Sequence, residues 1–128
     1  MKLLLDTHAF IWADGEPQKL SPAAKTACED PANQIVLSAA SVWEMQIKLM
    51  LGKLTLRKPL RSLIEDSVQQ SGFTLLSVQV EHVLRLDTLS SHHKDPFDRI
   101  LIAQALTEGC SIVSHDPVFP LYSVQVIW

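Results

Sequence analysis

An α/β fold, a five-stranded parallel sheet flanked by helices on both faces, is predicted by three features of this chain. Short β-branched or leucine-rich runs alternate with longer amphipathic segments, as in repeated strand–helix–strand units. Two runs, Lys2–Leu5 and Ser111–Ser114, are almost continuously apolar and suit central strands buried on both sides. Glycines stand just beyond three of the helical segments, where a left-handed terminal residue is wanted.

Lys2–Leu5 is the first strand, and Asp6 after it can cap a helix beginning at Thr7. Ser21–Asp30 is helical, opened by Ser21 as cap and Pro22 in the first turn. Gln34–Leu37 is the second strand, followed by a helix over Ala39–Leu51 that Gly52 closes. Gly52 to Pro59, the least regular stretch, is a surface connection. A helix over Leu60–Ser71 ends at Gly72 and leads into the third strand, Thr74–Ser77. Val80–Leu89 and Pro96–Glu108 are the last helices, the second closed by Gly109. Ser111–Ser114 is the fourth strand. Ser123–Ile127 alternates in part and belongs at a sheet edge.

Composition sets bounds on function. A chain of 128 residues, 47% hydrophobic and 20% charged, suits one folded domain spanning 1–128. The net charge of −3 gives no whole-molecule basic field of the kind that attracts nucleic acid, although acids neutralised by metal ions would leave less repulsion than the count implies. Cys28 and Cys110 have neither metal-motif nor disulfide-framework spacing. Asp6 interrupts the amino-terminal apolar run too early for a signal peptide, and no run reaches membrane-spanning length. A cytoplasmic protein without a membrane partner is the expectation.

Four carboxylates carry the chemistry: Asp6, Glu44, Asp98 and Asp116. Asp6 and Asp116 follow matching apolar runs, at the carboxyl edge where open α/β sheets bind ligands. Taken singly each suits a helix cap or turn opening, but their matched contexts favour function. Glu44 stands three residues after Ser41, the capping-box spacing, yet Ser38 is the earlier and better-placed cap. Trp43 and Met45 flank it, and an unpaired charge in apolar surroundings is costly. In Asp95-Pro96-Phe97-Asp98-Arg99, Asp95 is a good cap and Asp98 falls three residues later near the same face, so the segment leaves open which acid serves the site. Carboxylates gathered at one edge repel one another unless a cation offsets them, and hard oxygen donors suit Mg²⁺ or Mn²⁺. Such a metal points to phosphate chemistry.

The segments Leu5–Trp12, Ser38–Lys48, Gly52–Leu54, His93–Ala105 and Val113–Asp116 together resemble the PIN domain, and within it the VapC-like toxins of bacterial type II toxin–antitoxin systems. The resemblance covers almost the whole chain, with the motifs in order. It implies a PIN-like (Rossmann-like) sheet and a metal-dependent ribonuclease, with Asp6, Glu44, Asp98 and Asp116 matching the acidic quartet. It further implies Mg²⁺ or Mn²⁺ at the site, an RNA substrate cut to leave a 5′-phosphate and a 3′-hydroxyl, a cognate antitoxin, and a homodimer. Asp95 is then a cap or outer partner. Thr7, Ser38, Ser41 and Ser114 are candidates to orient water, and Arg99 to touch phosphate or pair with an acid. His8, His92, His93 and His115 adjoin these acids but are read as surface or packing residues.

Lys48, Lys53, Arg57 and Lys58 lie in an interval free of acids between Glu44 and Glu65, a basic stretch suited to guiding RNA. Apolar residues at helical spacing, Trp43, Ile47 and Leu51 or Ile64 and Val68, suit either the antitoxin or the self-association interface, although such spacing more often marks core. Other chemistries on such a sheet lack their residues. His8 stands where a dehalogenase-like phosphatase needs a second aspartate, a receiver domain's adjacent acids are missing, and no glycine-rich turn follows the first strand. The alternative from another class is a non-catalytic PIN-fold protein-binding module, which would usually have lost one of the four acids.

Overall fold

The computed structural model describes residues 1–128. Strands β1 (Lys2–Leu5), β2 (Gln34–Ser38), β3 (Thr74–Leu76), β4 (Ser111–Val113) and β5 (Val126–Ile127) form one wholly parallel sheet, in the order β3-β2-β1-β4-β5. Six helices accompany it: α1 (Thr7–Gly15), α2 (Pro22–Glu29), α3 (Ala39–Met50), α4 (Leu60–Gln69), α5 (Val80–Arg85) and α6 (Pro96–Glu108).

The period-two rule explains how β1 holds the layers together. Leu3 and Leu5 face a core shared with Phe10, Leu37, Met45, Leu63 and Val113, while Leu4 faces the other, with Val36, Leu101, Ile102, Ile112 and Phe119. Helices α1 to α4 therefore cover one face and α6 the other. Leu4 pairs in register with Val36 and Ile112, and Leu5 with Val113, so the ends of β1, β2 and β4 come out side by side. From β1 the chain builds outward through β2 and β3, then returns to build β4 and β5 on the opposite side. The crevice beyond the carboxyl end of β1 is thus the topological switch point.

Local chemistry fixes the helix ends. Ser21 accepts a hydrogen bond from the Ala24 N–H, and Pro22 stands in the first turn as expected. Gly109 ends α6 at φ 68°, a left-handed conformation that strains residues bearing a Cβ.

Three expectations change. The last strand shrinks from Ser123–Ile127 to Val126–Ile127, because β4 is only three residues long and offers two register pairs. The helix expected over Val80–Leu89 stops at Arg85 and tightens into a 3₁₀ turn at Leu86–Thr88, where the Thr88 hydroxyl donates to the Arg85 carbonyl. Trp43, Leu51 and Val68 are exposed, which leaves them to an interface rather than the core, since α3 buries the face carrying Ala40, Ser41, Glu44 and Met45 and α4 the face carrying Leu63 and Ser67. No helix is long and apolar enough to cross a membrane.

Candidate acidic metal centre

Asp6 lies one residue beyond β1, and its N–H still bonds to the Val113 carbonyl at 3.1 Å. Its carboxylate has two tasks. Oδ1 accepts from the Ala9 N–H at 2.7 Å and caps α1, while Oδ2 accepts from the Ser114 hydroxyl at 2.5 Å. The Ser114 oxygen in turn accepts from the Asp116 N–H at 3.0 Å, so one hydroxyl at the end of β4 ties two acids together. Asp116 Oδ1 accepts from the Val118 N–H at 2.9 Å, the turn role its Asp-Pro context suggests.

Ser38 caps α3 by accepting from the Ala40 N–H, which places Glu44 in the second turn, pointing back across the sheet edge. Glu44 Oε1 accepts from the Thr7 hydroxyl at 2.7 Å and Oε2 from Lys48 Nζ at 2.8 Å. On α6, Asp95 is the cap: its Oδ1 accepts from the N–H groups of Phe97 and Asp98. Asp98 follows in the first turn, partly buried.

All four acids and Asp95 line one cavity of about 470 Å³, with Thr7, His8, Trp12, Lys48 and His115. Electrostatics mark the convergence. The Asp98 carboxyl is pushed up to about 7, first by burial and then by Asp95, Asp116, Glu44 and Asp6. Burial likewise raises Asp6, against the opposing hydrogen bonds from Ser114 and Ala9. The acids ring the cavity without any three of them closing to a coordination cage. Such an open set of hard carboxylate oxygens fits Mg²⁺, which binds through one or two carboxylates and retains several waters.

Several candidates are placed elsewhere. Arg99, one residue past Asp98, is rotated about 100° round the helix. Its Nη1 donates to the Ser90 carbonyl and the Tyr122 hydroxyl, outside the acid cavity, which corrects the expectation that it serves the acids. Ser38 donates to Gln104 Oε1 at 2.6 Å, and the buried Ser41 hydroxyl has no partner; neither lines the cavity. Thr7 and Ser114 hold carboxylates directly. In the basic stretch, Arg57 is bound by Asp14 at 2.6 Å and Lys58 by Asp66, acids from other elements that the local interval did not reveal. Lys48 lines the cavity, and Lys53 makes no ion pair.

His93, read from the sequence as a packing residue, comes close to the site. Its Nε2 lies 3.4 Å from Asp98 Oδ2, and its Nδ1 meets the Tyr122 hydroxyl at 2.9 Å. His8 and His115 also line the cavity, so their places two residues after Asp6 and directly before Asp116 were the signal that could have found them.

Comparison with known proteins agrees with this arrangement. The family model described as PIN domain matches residues 3–124. Ribonuclease VapC22 of Mycobacterium tuberculosis is 31% identical over 117 residues, which cover 89% of this chain and 86% of that protein. The solved VapBC2 complex of Rickettsia felis, bound to a DNA fragment from its promoter, contains a chain that superposes with a TM-score of 0.71 at 12% identity, covering 98% of this chain and 97% of that one. VapBC-1 of nontypeable Haemophilus influenzae gives 0.66 at 17% identity, covering 98% and 96%. With a model match over nearly its whole length and a sheet whose switch point gathers carboxylates from four elements, the chain belongs to the PIN domain family.

Proposed function

We propose that this protein is a divalent-metal-dependent endoribonuclease, the VapC-like toxin of a type II toxin–antitoxin pair, with residues 1–128 acting as one PIN domain in the cytoplasm. One observation carries the mechanism: carboxylates from four separate elements face a single cavity, where burial first and then their mutual repulsion push Asp98 up. The kinship with Ribonuclease VapC22 supports RNA as the substrate.

Asp6, Asp98 and Asp116, with Glu44, would hold Mg²⁺ or Mn²⁺. When bound, such a cation acidifies water and neutralises charge on a phosphodiester, so no side-chain nucleophile is required. The protein's own part is to fix the donors. Ser114 holds Asp6 in place and positions the backbone of Asp116, Thr7 holds Glu44, and Asp95 fixes the start of the helix that carries Asp98. Lys48 offsets part of the Glu44 charge and brings a cation to the cavity wall, where a phosphate oxygen would lie.

A cognate antitoxin and a second copy of the chain are the proposed protein partners. Structural likeness to chains of VapBC complexes supports the first. Exposed apolar side chains on α3, Trp43, Met50 and Leu51, are surface suited to either. The non-catalytic alternative is disfavoured because all four acids are present and all four reach the cavity.

The test is cleavage of structured RNA in Mn²⁺ or Mg²⁺. Wild type cuts and loses activity on chelation, while Asp6→Asn and Asp116→Asn each fall by roughly 100-fold or more, beyond the usual effect of an outer partner. Equal activity in wild type and both variants overturns the mechanism.

A further inference from the structure

Next to the acid cavity lies a second one, of about 360 Å³, walled by His115, Pro117, Val126 and Trp128. The two cavities share His115, Asp116 and Pro117. Flat rings run across the junction. His115 and Trp128 are 5.2 Å apart between centroids, and Trp12 lies 6.4 Å from the first and 5.8 Å from the second. His8 extends the row at 5.7 Å from Trp12.

These rings are anchored but not enclosed. Trp12 and Trp128 pack partly against the core, which restrains them, while His115 is exposed. Pairing of β5 with β4 is completed by Val126 and Ile127 and asks nothing of Trp128. The second cavity's wall mixes Val124, Val126 and Trp128 with Ser114, His115 and Asp116, whereas five carboxylates line its neighbour.

We propose that this second cavity holds an unpaired RNA base, stacked on Trp128 and His115, beside the phosphate that the acids process. The inference rests on the ribonuclease reading and deepens it by naming a base subsite beside the acids. A phosphodiester lying over the acids must direct a neighbouring base to one side, and the shared residues place a π-face within that reach. Every base has a face that stacks, so the contact tolerates sequence while requiring the base to be free of a duplex. Pro117 and Val126 supply the dry flanks a base prefers to water.

The test separates base from backbone. Binding of a labelled single-stranded oligoribonucleotide of mixed sequence is followed by fluorescence anisotropy, against an abasic ribose-phosphate chain of equal length. The Asp6→Asn background prevents cleavage. The base-bearing chain is expected to bind roughly 10-fold or more tightly than the abasic one. Trp128→Ala removes that preference and leaves affinity for the abasic chain unchanged, and Trp128→Phe retains it. His115→Ala, at an exposed position, weakens the preference and serves in place of Trp128→Ala if the latter fails to fold. Equal preference in these variants and the background overturns the proposal. Cleavage by the wild type is scored separately: no metal-dependent cleavage with base preference intact sinks the ribonuclease reading alone, and cleavage without base preference sinks this site alone.

Discussion

Two clusters of polar side chains involve α6, and they differ in what their groups face: hydrogen-bond partners alone in one, like charges in the other. In the inner cluster Ser38 donates to Gln104, and Gln104 Nε2 donates to the Ser77 carbonyl. His82 Nδ1 accepts from the Gln79 N–H while Nε2 meets Glu108 at 3.0 Å. Ser38 and Gln104 are wholly buried and His82 nearly so, yet each has partners. At the outer cluster, about two helical turns away along α6, the acids face one another and Asp98 is driven upward. A closed network of hydrogen bonds fixes the packing of the elements it joins. A cluster of like charges destabilises the fold that holds it, so its retention is explained by chemistry rather than by architecture.

Activity should separate the clusters most widely, and it also resolves the two acids of α6. Asp98→Asn is expected to lower kcat for Mn²⁺-dependent RNA cleavage by roughly 100-fold or more, as for a ligand. Asp95→Asn keeps an equally good cap, because asparagine also accepts from the N–H groups that Asp95 serves, and should lose less than about tenfold. The reverse ranking would make Asp95 the ligand and Asp98 its support.

Stability against pH is the next difference. In the folded protein burial, and then the neighbouring acids, push the Asp98 carboxyl up to about 7 from its ordinary 3.8. Between those values the folded state binds the proton that the unfolded state has released. The contribution of this group to stability is therefore fully present below about 3.8 and is lost as pH rises through 7. In chelator, thermal melts of wild type minus those of Asp98→Asn should show stability falling across that window, and saturating Mg²⁺ should abolish the fall. A flat difference in chelator would mean that neither burial nor the neighbouring acids raise the Asp98 carboxyl.

The inner cluster responds oppositely. Ser38→Ala removes the cap of α3 and leaves Gln104 Oε1 without its donor, a loss of about 2–3 kcal/mol from a buried unsatisfied acceptor and a missing cap. Urea unfolding should show this loss with no new pH dependence between pH 4 and 7. Adding Gln104→Ala should cost less than the sum of the two single changes, because they break the same bond. Additive losses would show the network to be less coupled than its distances suggest.

The same contrast explains what the sequence revealed. Leu3, Leu4 and Leu5 announced a two-faced central strand, and Ser21-Pro22, Asp95-Pro96 and Gly109 marked helix ends, because these rules act within a few residues. Asp6 and Asp116 were legible for a similar reason: position at a strand end is local, and the parallel register then aligns the ends. Partners far apart in the chain were not. Ser38 meets Gln104 across 66 residues and Arg57 meets Asp14 across 43, and no periodicity encodes either pair. Arg99 shows the finer limit, since one step along a helix turned it from the acids towards Tyr122.

The smallest effect carries the contrast to the surface. Arg57 and Lys58 have carboxylate partners, whereas Lys53 has none, so Lys53 is the freer cation for a passing phosphate. In the Asp6→Asn background, Lys53→Ala is expected to reduce the dependence of log affinity on log salt by about 0.7 for single-stranded RNA, the value of one released counterion. Arg57→Ala removes a charge that Asp14 already compensates and exposes that acid, so it should weaken binding with a smaller change in slope. Equal slope changes at the two positions would show that RNA displaces Asp14 and that pairing within the protein does not decide which cations guide the substrate. An unchanged slope at Lys53 would instead confine the electrostatic contacts to the cavity wall, where Lys48 stands against Glu44.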